Sequence, residues 1–103
     1  MAILTRDADK ILCIAYKQYL ERTKSMNKND ALVISADFFK NEKSTKDWSK
    51  KDVFSNLKEL ERVGYCRVFM DGSFKLKSEA IIHMEQRFKN GFNDVVDFIT
   101  KFL

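Results

Sequence analysis

The chain has no proline, only three glycines, two cysteines and one histidine. Glycines at 64, 72 and 91 with no proline leave no linker, low-complexity tract or repeat. Cys13 and Cys66 form no CxxC pair and sit among apolar neighbours ("ILCIAY", "GYCRVF"), so two buried free thiols are expected. A metal site would need more ligands than these two and His83 supply, and no metal or other cofactor is implied. All three glycines fall at helix stops or a turn, which leaves no phosphate-cradling loop. GxSxG, HExxH and Cys-His groupings are missing, and no pair of carboxylates is marked by its spacing. An enzyme is therefore not expected. No apolar run approaches the roughly 20 residues that span a bilayer. The start "MAILTRDADK" lacks the charged and apolar stretches of a signal peptide, so a soluble cytoplasmic protein is expected.

What is present is apolar enough to fold. Hydrophobic residues at 45% and aromatics at 13% exclude disorder, and 103 residues suit one domain, 1–103. The net charge of +4 is unevenly placed: residues 39–77 hold ten Lys or Arg against six Asp or Glu, and the remainder is balanced at nine of each. An excess concentrated on one segment is what an electrostatic footprint for nucleic acid looks like, although a solvated lysine-rich surface gives the same count.

Residues 7–24 carry acids in the first turn, Arg22 and Lys24 in the last, and a helical stripe of Ala8, Ile11, Leu12, Ala15, Tyr19 and Leu20. Ile14 and Tyr16 widen that stripe, so this helix is expected to be covered on two sides. "SMNKND" breaks the pattern, "ALVIS" reads as a short strand, and Ser35 is placed to cap a short helix, "ADFFKN". Ser49 with Asp52 forms a capping-box variant, with Trp48 positioned to staple onto Val53, so the third helix starts at about Lys50. Val53, Leu57 and Leu60, flanked by Phe54 and Val63, share its apolar side; Lys51, Ser55, Lys58 and Arg62 share the opposite one. Gly64 ends this helix and Asp71-Gly72 turns a hairpin between "YCRVFM" and "SFKLK".

Two hairpin registers are open. A two-residue loop puts Tyr65, Arg67, Phe69, Phe74 and Leu76 on one face. A three-residue loop groups Cys66, Val68, Met70, Phe74 and Leu76 and turns Arg67 and Lys75 outward. Ser78 is placed to cap a fourth helix through about Lys89, with Ile81, Met84 and Phe88 inward, Gly91 closing it and His83 facing solvent. The last segment gathers Phe92, Val95, Val96, Phe98, Ile99, Phe102 and Leu103 in one arc opposite Asn93, Asp94, Asp97, Thr100 and Lys101. That arc packs on the chain's own core or on a second copy, as a homodimer through helices 7–24 and 92–103.

Helix, short strand, helix, helix and hairpin, in that order, resembles the winged helix-turn-helix family. "DVFSNLKELERVGYCRV" looks like the segment in which its third helix runs into the wing. The resemblance covers about residues 8–80, with a C-terminal helical extension at about 79–103. The flanking helices are similar to those of small bacterial regulators of the MarR and PadR kind, and the layout is similar to the YjcQ-like proteins of bacteria and phages. The resemblance implies an α+β, mostly helical fold with a two-stranded wing and two extra C-terminal helices. It also implies double-stranded DNA as partner and transcription regulation as role, with helix 49–63 reading the major groove. It gives base-edge roles to Lys51, Ser55 and Lys58 and phosphate roles to Lys50, Arg67 and Lys75; the ridge spacing adds Arg62, and the basic stretch before the helix adds Lys46, to the expected DNA-binding set. Two departures stand out: "NEKSTKDW" is longer than the motif's usual turn of about 3–4 residues, and the tip "DGS" carries no basic residue.

Many winged helices bind proteins instead, and Glu59 and Glu61 flank the basic ridge. The discriminating feature is whether Lys43, Lys46, Lys50, Lys51, Lys58 and Arg67 converge on a surface free of carboxylates.

Overall fold

Thr5 opens the first helix by accepting a hydrogen bond from the Ala8 N–H through its hydroxyl, at 3.3 Å. The helix it caps, α1 (Arg6–Arg22), carries Asp7 and Asp9 in its first turn and Arg22 in its last, as the helix dipole favours. The computed structural model describes residues 4–35, 37–42 and 45–102. Expectations placed on Ala36, Lys43, Leu103 and the Phe102 side chain lie outside these residues.

Among the described residues α1 is followed by α2 (Lys28–Ala31), β1 (Val33–Ile34), α3 (Phe38–Asn41), α4 (Lys50–Arg62), β2 (Cys66–Val68), β3 (Phe74–Leu76), α5 (Ser78–Arg87) and α6 (Phe92–Phe102). The architecture is α+β and mostly helical, with one small antiparallel sheet in the order β1-β3-β2. The expected two-stranded hairpin is thus a three-stranded sheet. "ALVIS" does supply a strand: Val33 pairs with Lys75 and Ile34 with Phe74, and the Leu76 N–H donates to the Leu32 carbonyl at 3.0 Å. That pairing satisfies the outer edge of β3, which a lone hairpin would leave open.

Three local readings are corrected. The stretch read as a break contains α2, a single turn begun by the Asn27 side chain accepting from the Asp30 N–H at 2.8 Å. One turn is too short to display a stripe. Ser35 does not cap α3; Asp37 holds the cap position, and the Ser35 hydroxyl accepts from the Asp37 N–H two residues on. Ser78 is the first residue of α5 rather than its cap, since Lys77 occupies the cap position with no side-chain bond.

The hairpin has a three-residue loop. The Phe69 N–H donates to the Ser73 carbonyl at 2.8 Å, and Cys66, Arg67 and Val68 pair with Leu76, Lys75 and Phe74. Asp71-Gly72 serves as the last two loop residues, with Gly72 at φ 89°, where a side chain is strained. Cys66, Phe74 and Leu76 are buried and Arg67 and Lys75 are exposed, as the three-residue register requires. Met70 departs from that face: it stands in the loop and is fully exposed.

The core gathers on α1. Eight of its residues, including Ile14 and Tyr16 outside the narrow stripe, are buried. Phe39 of α3 stacks on Phe74 of β3, with ring centroids 5.8 Å apart. α6 packs along α1 with Val95 fully buried. Arg87 joins the ends of this assembly: it grips Asp9 of α1 through two hydrogen bonds, at 2.6 and 3.1 Å, and lies 4.4 Å from the Phe98 ring centroid of α6. His83 is not simply solvent-facing, because it is half-buried and stacked on Tyr65 at 5.2 Å.

Leu57 of α4 is 2% exposed, and truncating it to alanine leaves a cavity that costs roughly 2–5 kcal/mol. Ile82→Ala, on an exposed site, is expected to stay within about 0.5 kcal/mol. Urea denaturation of both variants checks this; equal effects would contradict the burial described.

Candidate nucleic-acid interface

Ser49 starts α4 as its capping role requires, its hydroxyl accepting from the Asp52 N–H at 3.1 Å. Gly64 ends it at φ 89°, where the Gly64 N–H donates to the Glu61 carbonyl and the Tyr65 N–H to the Leu60 carbonyl. Between these stops Leu57 and Leu60 are buried, which commits the opposite side to solvent. Lys51, Ser55, Lys58 and Arg62 are all exposed there. Their spacing lines them up along about three turns, the length of helix that enters a groove.

The two carboxylates next to this ridge have structural partners. Glu59 reaches across to α1, where it accepts from the Thr5 N–H at 3.0 Å and from the Thr5 hydroxyl at 3.2 Å. Glu61 accepts from the Lys58 ammonium at 2.6 Å and from the Val68 N–H at 2.8 Å. Those two bonds, the Lys58 bond first, hold its carboxyl below the ordinary value. The Val68 bond ties β2, an outer strand of the sheet, to α4 and covers part of its edge. The Cys66 thiol adds a weaker link, donating to the Leu57 carbonyl at 3.5 Å.

The other expected site residues divide between two surfaces. Lys46 is exposed in the connection before α4, and Lys50 and Lys51 are exposed in its first turn. Lys50 and Lys51 border a groove of about 420 Å³ whose opposite wall is the hairpin tip, Met70 to Gly72. Arg67 and Lys75, paired across the strands, face outward from the sheet and line a second hollow with Asn29, Lys77, Ser78 and Glu79. Lysines at the start of α4 therefore lie beside the hairpin tip, while Arg67 and Lys75 face a separate hollow.

The groove is the feature that sequence reasoning missed. Phe39, Trp48, Val53, Phe54 and Leu57 supply its apolar lining, and Thr45, 1% exposed, closes part of it with a 2.8 Å bond to the Phe39 carbonyl. The Trp48 and Val53 pair, read as a helix staple, lines this groove, and the Lys10 ammonium lies 5.3 Å from the Trp48 ring centroid. Phe54 was the available signal: it sits at the border of the apolar stripe and is 45% exposed.

Among the described residues no group of His, Cys, Asp or Glu could hold a metal ion, and no helix is long and apolar enough to cross a membrane. Compared with known protein families, with curated proteins and with solved structures, the chain matches none at a significant level.

The lowered Glu61 value fixes the sign of a pH effect. A carboxyl with a depressed folded value adds stability above its unfolded value, ordinarily 4.5, and loses it as pH falls through the folded one. Glu61→Gln is expected to lower Tm at neutral pH, with the gap to the parent closing in acid. A gap that persists at low pH would show that the charge on Glu61 is not what ties the hairpin to α4.

Proposed function

We propose that the chain binds double-stranded DNA through the exposed face of α4, as a small bacterial or phage transcription regulator acting in the cytoplasm. On this reading α4 is the recognition helix of a winged helix-turn-helix domain, the β2–β3 hairpin is its wing, and no catalysis is involved. The observation that carries it is the ridge Lys51, Ser55, Lys58 and Arg62, exposed together while Glu59 and Glu61 are engaged by Thr5, Lys58 and Val68. The order α1, β1, α3, α4, β2, β3 and the strand order β1-β3-β2 support the winged-helix assignment. Cations on such a ridge gain affinity by releasing counterions from the duplex, and a small side chain at Ser55 permits close approach to base edges. Lys46 and Lys50 extend the positive surface at one end, and Arg67 and Lys75 take phosphates from the wing.

Homodimerisation through residues 7–24 and 92–103 has less support. Among the described residues the exposed large apolar side chains are Val33, Phe54, Phe69, Met70 and Ile82, and none belongs to α1 or α6. The alternative of a protein-interaction module is favoured by one observation, the apolar groove beside the ridge.

The test is fluorescence anisotropy with random duplex DNA at two salt concentrations. Replacing Lys51 and Lys58 together by alanine should weaken binding and make the salt dependence shallower, by about one in slope for every phosphate the variant no longer neutralises. Because Lys58 shares its charge with Glu61, Lys51→Ala alone should cost more affinity than Lys58→Ala alone. Lys51→Ala should keep the parent's Tm, whereas Lys58→Ala gives up its bond to Glu61 and should lower Tm slightly without unfolding the chain. Unchanged affinity and slope in the double variant would remove this face from the DNA-binding reading.

A further inference from the structure

We propose that the groove between α3, the start of α4 and the hairpin tip is a docking site for an acidic polypeptide segment carrying a bulky apolar side chain. The proposal deepens the protein-interaction reading and stands whether or not α4 binds DNA.

The groove combines two features that a segment of this kind satisfies together. Its floor is apolar, formed by Phe39, Val53 and Leu57 and flanked by Trp48 and Phe54. At about 420 Å³ it has room for one or two large side chains. Its rim is cationic. Lys40, Lys50 and Lys51 border it, with Lys40 and Lys50 near enough to interact. Two like charges held together repel, and the Lys50 ammonium drives the neighbouring Lys40 below its ordinary pKa. A carboxylate placed between them relieves that repulsion and accepts from both.

The two acids on the rim do not meet this need. Asp71 is exposed but held by its own loop, accepting from the Ser73 N–H at 2.9 Å and the Ser73 hydroxyl at 2.6 Å. Asp37 lies 3.8 Å from Lys40, in an exposed ion pair with a modest contribution. A small molecule is the poorer occupant, since small-ligand sites enclose most of their guest. Here Met70 is fully exposed and Phe54 is 45% exposed, so the groove stays open to solvent on these sides. Methionine and aromatic side chains in that position adapt to an apolar partner and supply surface for it to cover.

The experiment is selection of random peptides displayed on phage against the intact chain, with counter-selection against a Lys40→Glu, Lys50→Glu, Phe54→Ser variant. Trp48 is the chain's one tryptophan and lines the groove, so its emission reports occupancy when the selected peptides contain no tryptophan. The expected peptides place Asp or Glu beside a bulky apolar residue, shift Trp48 emission, and bind about tenfold or more weakly to Phe54→Ser and to a variant with Lys40→Glu and Lys50→Glu together. Lys58→Ala and Arg62→Ala, on the ridge, should bind them as the parent does. All substituted positions are exposed, and a cooperative melt close to the parent's confirms intact folding. Selection of no peptides above the counter-selected background, or of peptides indifferent to Phe54→Ser, would overturn the proposal. So would a dimer in sedimentation that Phe54→Ser dissolves, which would assign the groove to a second copy. Duplex DNA that shifts Trp48 emission and needs Phe54 for affinity would assign it to the DNA interface instead.

Discussion

Everything in this fold is arranged around the burial of α1. A helix with Ala8, Ile11, Leu12, Cys13, Ile14, Ala15, Tyr16 and Tyr19 all out of water cannot rest on a single neighbour, because those residues reach around most of its circumference. α4, α5 and α6 each take part of that surface. The terminal helix places part of its apolar arc inside the same chain, with Val95 buried and Phe98 and Ile99 packed against the core. Polar ties then fix the ends of the packed helices: Asp9 holds Arg87 of α5, and the Thr5 cap holds Glu59 of α4. α4 therefore presents its outer face in one orientation, with its inner face committed to Leu57, Leu60 and the helix beneath.

The distribution of acids matters as much as that of lysines. Asp9, Glu59 and Glu61 each accept from a named structural partner, which fixes where each carboxylate lies. A count along the chain sees only a small positive excess in residues 39–77. In space those carboxylates keep their charge, but internal bonds fix their positions and leave the ridge cations facing solvent. Lys58 is the exception, since Glu61 draws it back toward the sheet and discounts its share of the positive surface.

How much of this was legible in the sequence depended on how local its cause was. α4 was readable because its signals lie within a few residues of one another: the Ser49 cap, the Leu57 and Leu60 stripe and the Gly64 stop. The hairpin was readable for the same reason, although both of its registers satisfied part of the pattern. The strand pairing and the bond between Phe69 and Ser73 select the three-residue loop, and that loop lifts Met70 off the apolar face. β1 was weakly marked because two residues cannot establish an alternation, and its existence depends on the exposed edge of β3 far along the chain. The Arg87 and Asp9 pair, the His83 stack on Tyr65 and the groove join residues from separate elements, and no local pattern announces such meetings. Phe54 illustrates the limit: its place on the wheel is at the border of the core stripe, and only the position of the hairpin tip decides that it faces a groove.

The two buried thiols give this molecule internal clocks. Burial, aided by the nearby carboxylates of Asp9 and Glu61, pushes Cys13 and Cys66 each up to about 12, so neither is a nucleophile while the fold is closed. Each becomes reactive only when its surroundings open, and the two surroundings differ. Cys13 lies at the centre of the helical assembly, whereas Cys66 lies in a three-residue strand held to α4 by the Glu61 and Leu57 bonds. Alkylation resolved by site thus separates fraying of the hairpin from opening of the whole core, a distinction between local and global unfolding that the native chain carries without any added label.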